Sequence, residues 1–527
     1  MKMNPEFKRI LESKRAFRKQ LAEKPISEKL RIVEELAERS LATRKDTSSL
    51  LPEEPWQVPK NWRWAHMGDV ATIVGGSTPR TDRPEYFGGD VPWITPADLS
   101  GYKEKTISRG ARNITQEGLE NSGARLVPAK TILFSSRAPI GYVAIASNPV
   151  ATNQGFKSFV LNDELLPDFV YYYLQRAKEF AVALASGTTF LEISGKNAAR
   201  LPIPVPPLTE QRRIVEEIEK QFTRLEAGVA ALRRVQANLK RYRAAVLKAA
   251  CEGRLVPTEA ELARAGKVDP NCETGEALLA RILGDRRSKW QNDRLSKMVA
   301  EGRTPKNDNW KAQYKQPDAP DTSSLPVLPE GWVWVKLGQL AWSVKDGPHY
   351  SPKYASEGVP FISGGNIRPS GVDFDNARRI SPELHAELSK RCKPEVGDIL
   401  YTKGGTTGIA RVNTYTEEFN VWVHVAVLKL VDFVHRFYIQ HTLNSPLCYA
   451  QAQKLTHGVG NQDLGLTRMI HIILALPPLA EQERIVAEVE RRLSMVEELE
   501  TVVSANLRRA TRLRLAILQK AFSGKLF

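Results

Sequence analysis

Two long stretches of the chain place apolar residues three or four positions apart, with one step of seven in each stretch and with polar and charged residues between them. The first stretch carries its apolar positions at Val215, Ile218, Phe222, Leu225, Val229, Leu232, Leu239, Tyr242 and Val246. The second carries them at Val486, Val489, Leu493, Val496, Leu499, Val503, Ala510, Leu513 and Ile517. This spacing is typical of a coiled-coil seam. We therefore expect two helices of about 45 residues, each about 65–70 Å long, that pair with each other.

Each helix is expected to begin at the same ten-residue phrase, "PPLTEQRRIV" at residues 206–215 and "PPLAEQERIV" at residues 477–486. Proline is tolerated in the first turn of a helix, and the acidic residue of the phrase suits the positive helix end. Thr209 is the expected N-cap of the first helix. Gly253 and Gly524 are the expected ends, because glycine accepts the left-handed conformation that terminates helices.

The phrase belongs to a longer internal repeat. "VPKNWRWAHMGDVA" starts at Val58 and "LPEGWVWVKLGQLA" at Leu328, while "AKTILFSSRAPIGYVAI" from Ala129 lies over "VGDILYTKGGTTGIARV" from Val396. Matching landmarks keep their order at offsets of 267 to 271 positions, which indicates a duplicated unit of about 200 residues. A third fragment, "KPISEKLRIVEELAE" from Lys24, resembles the helix start again. Similar chain ends favour a circular arrangement.

The segments between the helices are patterned as short strands and short helices. "TILFSSRAPIGYVAIA" and "VWVHVAVLKLV" are rich in β-forming residues and lie between turn residues, whereas "PDFVYYYLQRAKEFAVALAS" is patterned as a helix. The predicted fold class is α/β, with two duplicated α/β domains joined by two long antiparallel coiled-coil helices in a pseudo-twofold, circular organisation. The predicted segments are an N-terminal helical segment (1–50), a first domain (51–205), a first long helix (206–256), a polar linker with one helix at 276–298 (257–327), a second domain (328–476) and a second long helix (477–527).

The charge of the chain favours a polyanionic partner. Its 527 residues include 76 Lys and Arg against 60 Asp and Glu, which gives a net charge of +16 at pH 7. Such an excess suits nucleic acid or an anionic membrane surface. The longest uncharged run, residues 138–156, contains Pro, Gly, Asn and Gln and cannot be a membrane helix, and the N-terminus lacks the apolar core of a signal peptide. Membrane binding is therefore disfavoured and nucleic acid is the expected partner. Four cysteines without metal-like spacing fit a reduced, cytoplasmic protein.

Motifs of catalysis and of cofactor binding are missing from the sequence. No Gly-Lys pair is followed by Ser or Thr, no G-x-G-x-x-G follows a strand, and no Asn-Pro-Pro-Tyr-like methyltransferase motif occurs. Ser135, Ser136 and the hydroxyl residues of "SGTTF" have no identifiable base, and His424 and His457 have no metal-like spacing. We therefore expect a binding protein with no catalytic residue, cofactor or metal of its own.

Two similar domains on a rigid helical spacer suit a DNA-binding protein that touches two separated sites, since the spacer fixes the distance between them. Diverged domains would then read different half-sequences, with phosphates contributing affinity and base edges contributing specificity. A coiled-coil adaptor or scaffold that does not bind DNA has the same geometry and is the alternative. A nuclease or methyltransferase with built-in sequence recognition is the third hypothesis.

Nearly the whole chain resembles the specificity subunit of type I restriction–modification enzymes. The resemblance rests on the two ten-residue phrases with their helices, and on "VPKNWRW" and "LPEGWVW" at the start of each domain. "GGSTPRTDRPEYFGGDVPWITPADL" from Gly75, "SSRAPIGYVAI" and "ATNQGFKSF" are similar to common elements of the family's target recognition domains. The chain departs from the family in its long linker and in "VKDGPHYSPKYASEG" from Val344, so the second half-target stays open.

This resemblance implies a non-catalytic chain that binds one bipartite double-stranded DNA target, each target recognition domain reading one half in the major groove. It implies two adenine methyltransferase (modification) subunits as partners, which use S-adenosylmethionine in DNA methylation. It also implies motor–nuclease (restriction) subunits, which use ATP and magnesium in phage defence. The long helices would set the spacing of the half-targets and would form much of the docking surface for the methyltransferase.

The candidate DNA-binding residues are polar and basic residues of the predicted loops, because Arg and Lys suit guanine edges and phosphates while Asn and Gln suit adenine. In the first domain they are Ser77, Thr78, Arg80, Arg83, Tyr86, Arg137, Asn153, Gln154, Lys157, Thr188 and Thr189. In the second domain they are Lys345, His349, Tyr350, Lys353, Asn366, Arg368, Lys403, Thr406, Thr407, His424, Asn461 and Gln462. Trp62, Trp64, Trp332 and Trp334 are expected to pack the domains rather than to stack on bases.

Overall fold

The computed structural model describes most of the chain, namely residues 54–187, 191–303, 305, 307–458 and 462–527. These residues form two compact units, one of residues 54–229 with 508–527 and one of residues 230–507. The predicted N-terminal helical segment, residues 1–50, lies outside the described residues. Among the helices of the described ranges, none is both long enough and apolar enough to cross a membrane.

The first domain is built on a five-stranded sheet. Its strands are β1 (Arg63–His66), β2 (Ala71–Gly75), β3 (Phe87–Val91), β4 (Trp93–Ile94), β5 (Thr106–Ile107), β6 (Ile132–Ser135), β7 (Val143–Ala146), β8 (Ala151–Thr152), β9 (Phe156–Leu161) and β10 (Pro202–Val205). Its helices are α1 (Met67–Val70), α2 (Gln116–Glu120), α3 (Pro167–Arg176), α4 (Lys178–Ala183) and α5 (Gly195–Ala199). The sheet order is β2–β9–β6–β7–β5, with β5 parallel to β7. The first and last strands, β1 and β10, pair antiparallel and so bring the two ends of the domain together.

A helix of 44 residues, α6 (Leu208–Cys251), follows the first domain. The linker then contains α7 (Glu259–Arg264) and α8 (Gly275–Ala300). The predicted linker helix is confirmed by α8, which buries Leu278 and Ile282. The short helix α7 was not predicted, although Thr258 and Glu261 form a capping box that marks its start.

The second domain repeats this architecture with a four-stranded and a three-stranded sheet. Its strands are β11 (Val333–Lys336), β12 (Ala341–Asp346), β13 (Val359–Ile362), β14 (Ile367–Arg368), β15 (Gly371–Val372), β16 (Arg378–Ile380), β17 (Ile399–Thr402), β18 (Ala410–Val412), β19 (Asn420–Val421), β20 (Val425–Leu430) and β21 (Ile473–Leu476). Its helices are α9 (Leu337–Leu340), α10 (Pro382–Ser389), α11 (Arg436–Leu443), α12 (Pro446–Leu455) and α13 (Leu466–Met469), and the second long helix is α14 (Leu479–Phe522). The sheet orders are β12–β20–β17–β18 and β16–β13–β19, and β11 pairs with β21 as β1 does with β10.

Each unit completes its core with parts of both long helices. In the first unit, the start of α6 and the end of α14 pack on the first domain, and the ring of Phe522 lies 5.2 Å from those of Phe169 and Tyr173. In the second unit, the start of α14 and the end of α6 pack on the second domain. The helix end that closes each core therefore comes from the other copy of the repeat, as the circular arrangement predicts.

The two long helices pair antiparallel within the second unit. Leu239 of α6 is buried with Val496 and Val503 of α14, and the Arg243 guanidinium lies 3.3 Å from the Glu500 carboxylate. The partly buried Leu232 and Leu507 extend this contact, so residue numbers rise on one helix as they fall on the other. The predicted coiled coil is confirmed here.

The predicted seam is wrong at three positions, because the side chains of Tyr242, Leu499 and Leu513 are 46%, 48% and 47% exposed. A straight α-helix has 3.6 residues per turn, so a seam written with a period of 3.5 drifts around the helix by about 20° per heptad. These residues consequently lie beside the contact line rather than on it.

The repeated phrase attaches each long helix to its domain. Thr209 was wrongly predicted as the N-cap: it lies inside α6 and is exposed, while the Pro207 carbonyl accepts hydrogen bonds from the Glu210 and Gln211 amides at 2.8 and 3.0 Å. The buried Gln211 amide group donates to the Glu164 and Pro206 carbonyls at 2.8 and 2.9 Å. In the second copy, Gln482 donates to the Pro477 carbonyl and accepts from the His435 amide, both at 2.9 Å. In both copies, the glutamine of the phrase therefore connects the start of the long helix to its domain by hydrogen bonds.

The predicted helix ends are confirmed. Gly253 and Gly524 follow α6 and α14 with φ angles of +64° and +68°, the left-handed region that favours glycine. A Cβ atom at Gly253 would also lie 2.4 Å from Pro329 Cγ, and one at Gly524 would lie 2.2 Å from Pro59 Cγ. Both glycines are therefore required by conformation and by space.

Candidate nucleic-acid interface

A loop after the first sheet strand lies tightly against another strand in both domains. A Cβ atom at Gly76 would lie 2.0 Å from the Asn153 carbonyl oxygen, and one at Gly347 would lie 1.8 Å from the Val421 carbonyl oxygen. In the first domain the Trp93 indole N–H also donates to the Ser77 carbonyl at 3.1 Å. In the second, the Trp422 indole N–H donates to the Tyr350 carbonyl at 3.3 Å. We call these loops, residues 76–80 and 347–350, the platform loops.

The first platform loop brings together four of the candidate residues. The Ser77 amide donates to the Thr152 carbonyl at 2.9 Å, and the Thr78 hydroxyl donates to the Gln154 side chain. The neighbouring Asn153 uses its side-chain oxygen to accept from the Gly155 amide at 2.9 Å. Gln154 is exposed and the others are partly exposed, so this group presents hydroxyl and amide groups at one surface.

The segment after this loop carries exposed arginines with local partners. Arg80 lies 2.7 Å from Asp82, and Arg83 lies 3.3 Å from Glu85. The hydrogen bond to Asp82 raises the pKa of Arg80, and the same bond lowers the pKa of Asp82. Tyr86 is half-buried in the same segment. Two of the remaining candidates of this domain, Thr188 and Thr189, lie outside the described residues.

Arg137 and Lys157 meet at a single carboxylate. Arg137 Nη1 lies 3.5 Å from Glu192 Oε2, and Lys157 Nζ lies 3.4 Å from Glu192 Oε1. Backbone bridges join Glu192 to Arg137 and to Ser186, which hold the carboxylate in place. Two cations share one anion in this cluster, which therefore keeps one positive charge in excess.

The second domain has a larger charged cluster at the equivalent place. Its centre is Asp346, the last residue of β12, whose side chain is 2% exposed. Its oxygens lie 2.8 Å from Arg391 Nη2, 3.3 Å from Lys403 Nζ and 3.3 Å from His349 Nε2. Lys403, whose side chain is also 2% exposed, places its Nζ 2.9 Å from Asp463 Oδ1 as well. Two carboxylates here balance the lysine and the arginine.

The other candidates of the second domain separate into exposed and buried groups. Lys345, Tyr350, Lys353, Arg368, Thr406 and Gln462 are exposed. Asn366 and Thr407 are buried, and Asn366 accepts from the Ser363 amide at 3.0 Å and donates to the Asp373 carbonyl at 3.2 Å. His424 is half-buried, with its ring 4.9 Å from that of Trp422. Asn461 lies outside the described residues.

The acidic residues of both clusters and one arginine, Arg391, were not predicted as site residues. Glu192 and Asp463 are 271 positions apart, which is the offset of the repeated phrase. An acidic residue at equivalent places in both copies was a usable signal. Asp346 and Arg391 carried no such signal, because they are 45 positions apart and the fold alone brings them together.

Two of the four tryptophans at the start of the domains are buried as expected, and the other two, Trp64 and Trp334, are partly buried. Trp62 and Trp332 are 6% and 5% exposed and belong to the two main cores, and the Trp332 indole N–H donates to the buried Glu481 at 3.1 Å. Within the described residues, no three His, Cys, Asp or Glu side chains gather closely enough to hold a metal ion. The arrangement offers donors, acceptors and cations for binding.

Comparison with known proteins identifies the family of this duplicated chain. The profile of a family described as the type I restriction modification DNA specificity domain matches the chain twice, at residues 59–231 and 329–501. The chain therefore belongs to this family. The predictions of a non-catalytic specificity subunit and of duplicated α/β domains with coiled-coil helices are confirmed, and the adaptor alternative is not favoured.

The chain is similar to several named relatives. It is 43% identical over 160 residues to the type I restriction enzyme MjaIX specificity subunit of Methanocaldococcus jannaschii, a match that covers 30% of this chain and 37% of that protein. It is 25% identical over 473 residues to the EcoBI specificity subunit of Escherichia coli, covering 88% and 86% of the two chains. A solved structure from work on complex assembly and conformational transition of the type I R–M system has a similar fold, with a TM-score of 0.56 at 19% identity over 90% of this chain and all of that one.

Proposed function

We propose that this chain reads a bipartite double-stranded DNA target, one half with each target recognition domain, and that it performs no reaction itself. The observation that carries the proposal is the platform loop, which occurs in both domains on equivalent strands but carries different side chains. A shared frame with diverged polar groups is what two readers of different half-sequences require.

The contacts we propose are the polar and basic candidate residues of the two domains, apart from three that are buried. In the first domain these are Ser77, Thr78, Arg80, Arg83, Tyr86, Arg137, Asn153, Gln154, Lys157, Thr188 and Thr189. In the second they are Lys345, His349, Tyr350, Lys353, Arg368, Thr406, His424, Asn461 and Gln462. The buried Asn366, Lys403 and Thr407 would support the loops from below, because they offer little surface to DNA.

The paired helices would fix the spacing of the two half-targets and would bind partner subunits. Met495, Leu499 and Val502 of α14 are 54%, 48% and 51% exposed, and their spacing of four and three places them on one helix face. An exposed apolar stripe of this kind suits an interface. The partners would be two methyltransferase subunits that bring S-adenosylmethionine and restriction subunits that bring ATP and magnesium, in the cytoplasm.

The decisive experiment maps methylated adenines across a genome in cells that contain the methyltransferase partner, with and without this chain. We expect one split motif to appear only when the chain is present. An unchanged methylation pattern, with a partner shown to be active, would refute the proposal and favour a scaffold. Methylation or cleavage by the purified chain alone would instead favour a catalytic protein.

A domain exchange tests the assignment of the halves. Replacing residues 58–205 with the recognition domain of a relative should change one half of the motif and leave the other half and the spacing unaltered. The matched control replaces residues 328–476, which should change only the other half. A change in both halves from either exchange would contradict independent reading.

A further inference from the structure

Arg391, just after α10, combines surface exposure with a fixed orientation. Its Nη2 atom donates to Asp346 Oδ1 at 2.8 Å, and its side chain is 58% exposed whereas that of Asp346 is 2% exposed. The guanidinium therefore lies at the surface with a buried carboxylate behind it. Arginine has five N–H donors in a planar fork, so one hydrogen bond to Asp346 orients the rest.

The carboxylate that holds Arg391 is itself fixed from several sides. Asp346 pairs with Ala426 at the end of β12, and its second oxygen lies 3.3 Å from the buried Lys403 Nζ. Lys403 is in turn 2.9 Å from Asp463. A buried carboxylate is stable only when it is paired and hydrogen-bonded, so the surrounding cations keep Asp346 in one position.

Arg391 lines a concavity beside the second platform loop. The concavity has a volume of about 350 Å³, and its lining includes Asp346, Pro348, His349, Tyr350, Arg391 and Asn420. The second platform loop is the surface that the proposed function assigns to DNA, and the present inference rests on that assignment. Arg391 would then face the DNA together with His349 and Tyr350.

The charge balance favours a base edge over a phosphate as the ligand of Arg391. Asp346 and Asp463 offset the charges of Arg391 and Lys403, so the cluster keeps no clear excess with which to attract a phosphate. A phosphate contact also needs no carboxylate behind the arginine. An oriented guanidinium fork instead matches the O6 and N7 acceptors of guanine. We propose that Arg391 reads a guanine edge in the second half-target and that Asp346 is its positioning residue.

The test measures base discrimination rather than affinity alone. The full chain, assembled with its methyltransferase partner, is titrated with duplexes in which each G·C pair of the second half-target is replaced in turn by A·T. In separate duplexes, each guanine is replaced by 7-deazaguanine, which lacks the N7 acceptor. For the wild-type protein we expect one guanine at which the A·T exchange weakens binding roughly 5- to 150-fold and the loss of N7 also weakens binding.

Variants then assign that guanine to Arg391. With Arg391→Ala, the penalty at this one position should fall to near one-fold while the penalties at the other positions persist. Arg391→Gln keeps the three side-chain carbons and a polar end but removes the guanidinium fork and its charge, so it gives the same readout if the alanine variant does not fold. Asp346→Asn should reduce the same penalty, because the guanidinium loses its orientation, whereas a merely structural role would weaken binding to all duplexes alike. Arg436→Ala removes a charged side chain that is not among the proposed contacts and should behave as wild type.

Three results would overturn the inference. The second half-target could lack guanine, the Arg391 variants could keep the full penalty at every position, or they could weaken binding uniformly and reduce its salt dependence, as loss of a phosphate contact does. These results differ from a failure of the proposed function, in which the wild-type chain would direct no split motif at all.

Discussion

The charged centres of the two target recognition domains occupy equivalent places and are connected differently. In the first domain, Glu192 forms ion pairs with Arg137 and Lys157, whose side chains are 36% and 14% exposed. In the second, Lys403 lies fully inside between Asp346 and Asp463. The shared backbone frame thus tolerates a surface cluster with spare positive charge in one copy and a buried, balanced cluster in the other. The backbone arrangement of the domain can therefore be kept while the charges of its loops change.

A second contrast concerns the segment that leads into each domain. In the first domain, the Trp56 ring lies 5.1 Å from that of Trp64 and 5.9 Å from that of Phe180, and its indole N–H donates to the Phe522 carbonyl at 2.8 Å. In the second, Pro326 stands in the place of Trp56, since its carbonyl accepts from the Trp334 indole at 3.2 Å as that of Trp56 does from Trp64. A groove of about 300 Å³ borders Pro326 and Trp334 there.

The largest expected difference between the copies comes from removing the lysine of each cluster. Lys403→Met leaves two carboxylates without their buried cation and should lower the free energy of unfolding by about 3–5 kcal/mol. Lys157→Met leaves Glu192 paired with Arg137 near the surface and should cost at most about 1 kcal/mol. Chemical denaturation measures both, with hydrogen exchange in β17 and β6 to assign the transitions. Equal losses in the free energy of unfolding would show that the lysines of the two clusters contribute equally to stability.

Glu481, in the second copy of the repeated phrase, should make stability depend on pH. Burial raises its pKa to about 7, despite hydrogen bonds from the Glu259 amide and the Trp332 indole. The folded protein therefore binds the proton more tightly than the unfolded chain, whose value is 4.5, and stability falls by about 3 kcal/mol as pH rises from 4.5 to 7. Glu481→Gln should flatten this fall in denaturation measurements across that range. The matched change Glu210→Gln, at the partly exposed position of the first copy, should leave it unaltered; an identical effect of both would contradict the assignment.

The aromatic contrast predicts opposite effects of two substitutions. Trp56→Ala should destabilise the first domain by about 2–3 kcal/mol, less than a core aromatic because the ring is partly exposed. Pro326→Trp should stabilise the second domain by about 0.5–2 kcal/mol, because the new ring fills the groove. Thermal and chemical unfolding test both changes. Destabilisation by Pro326→Trp would show that the groove is not the counterpart of the Trp56 position.

The smallest expected effect concerns salt. The excess positive charge beside Glu192 suits a phosphate, so Lys157→Gln should reduce the slope of log K against log salt concentration by about 1 without changing the preferred sequence. Lys454→Gln, at an exposed position of α12, is the control and should keep the wild-type slope. A changed motif with an unchanged slope would reassign Lys157 to base reading.

The sequence predicted those parts of the fold that depend on local or periodic patterns. The long helices, their glycine ends and the linker helix follow from spacing and from turn residues, as do the packed Trp62 and Trp332. Tyr242 and Leu499 were wrongly assigned to the contact line between the helices. The spacing of apolar residues does not show how each helix is rotated about its axis relative to its partner. Thr209 was misplaced because two prolines precede it, and the carbonyl of the second already receives the first amides of the helix.

The candidate interface could be predicted only in outline. Polarity identifies Arg80, Tyr350 or Lys353 as exposed loop residues. Polarity also suggested that Lys403 is exposed, but it is buried. The two carboxylates that pair with it lie 57 and 60 positions away along the chain, so the sequence around Lys403 gives no sign of them. Such pairs depend on sheet order, which places both β12 and β17 beside β20. For the same reason, the pairing of Arg391 with Asp346 could be recognised only in the folded chain.

The closing of each core by a distant helix end has a consequence for synthesis on the ribosome. Phe222 and Phe522 belong to the same core around the first domain, but 300 residues separate them in the chain. At about 5–20 residues per second, translation takes roughly 15–60 s to proceed from one to the other. During this time the first domain exists without Phe522 and exposes the apolar surface around Phe169 and Tyr173. The domain that is made first is therefore the one completed last.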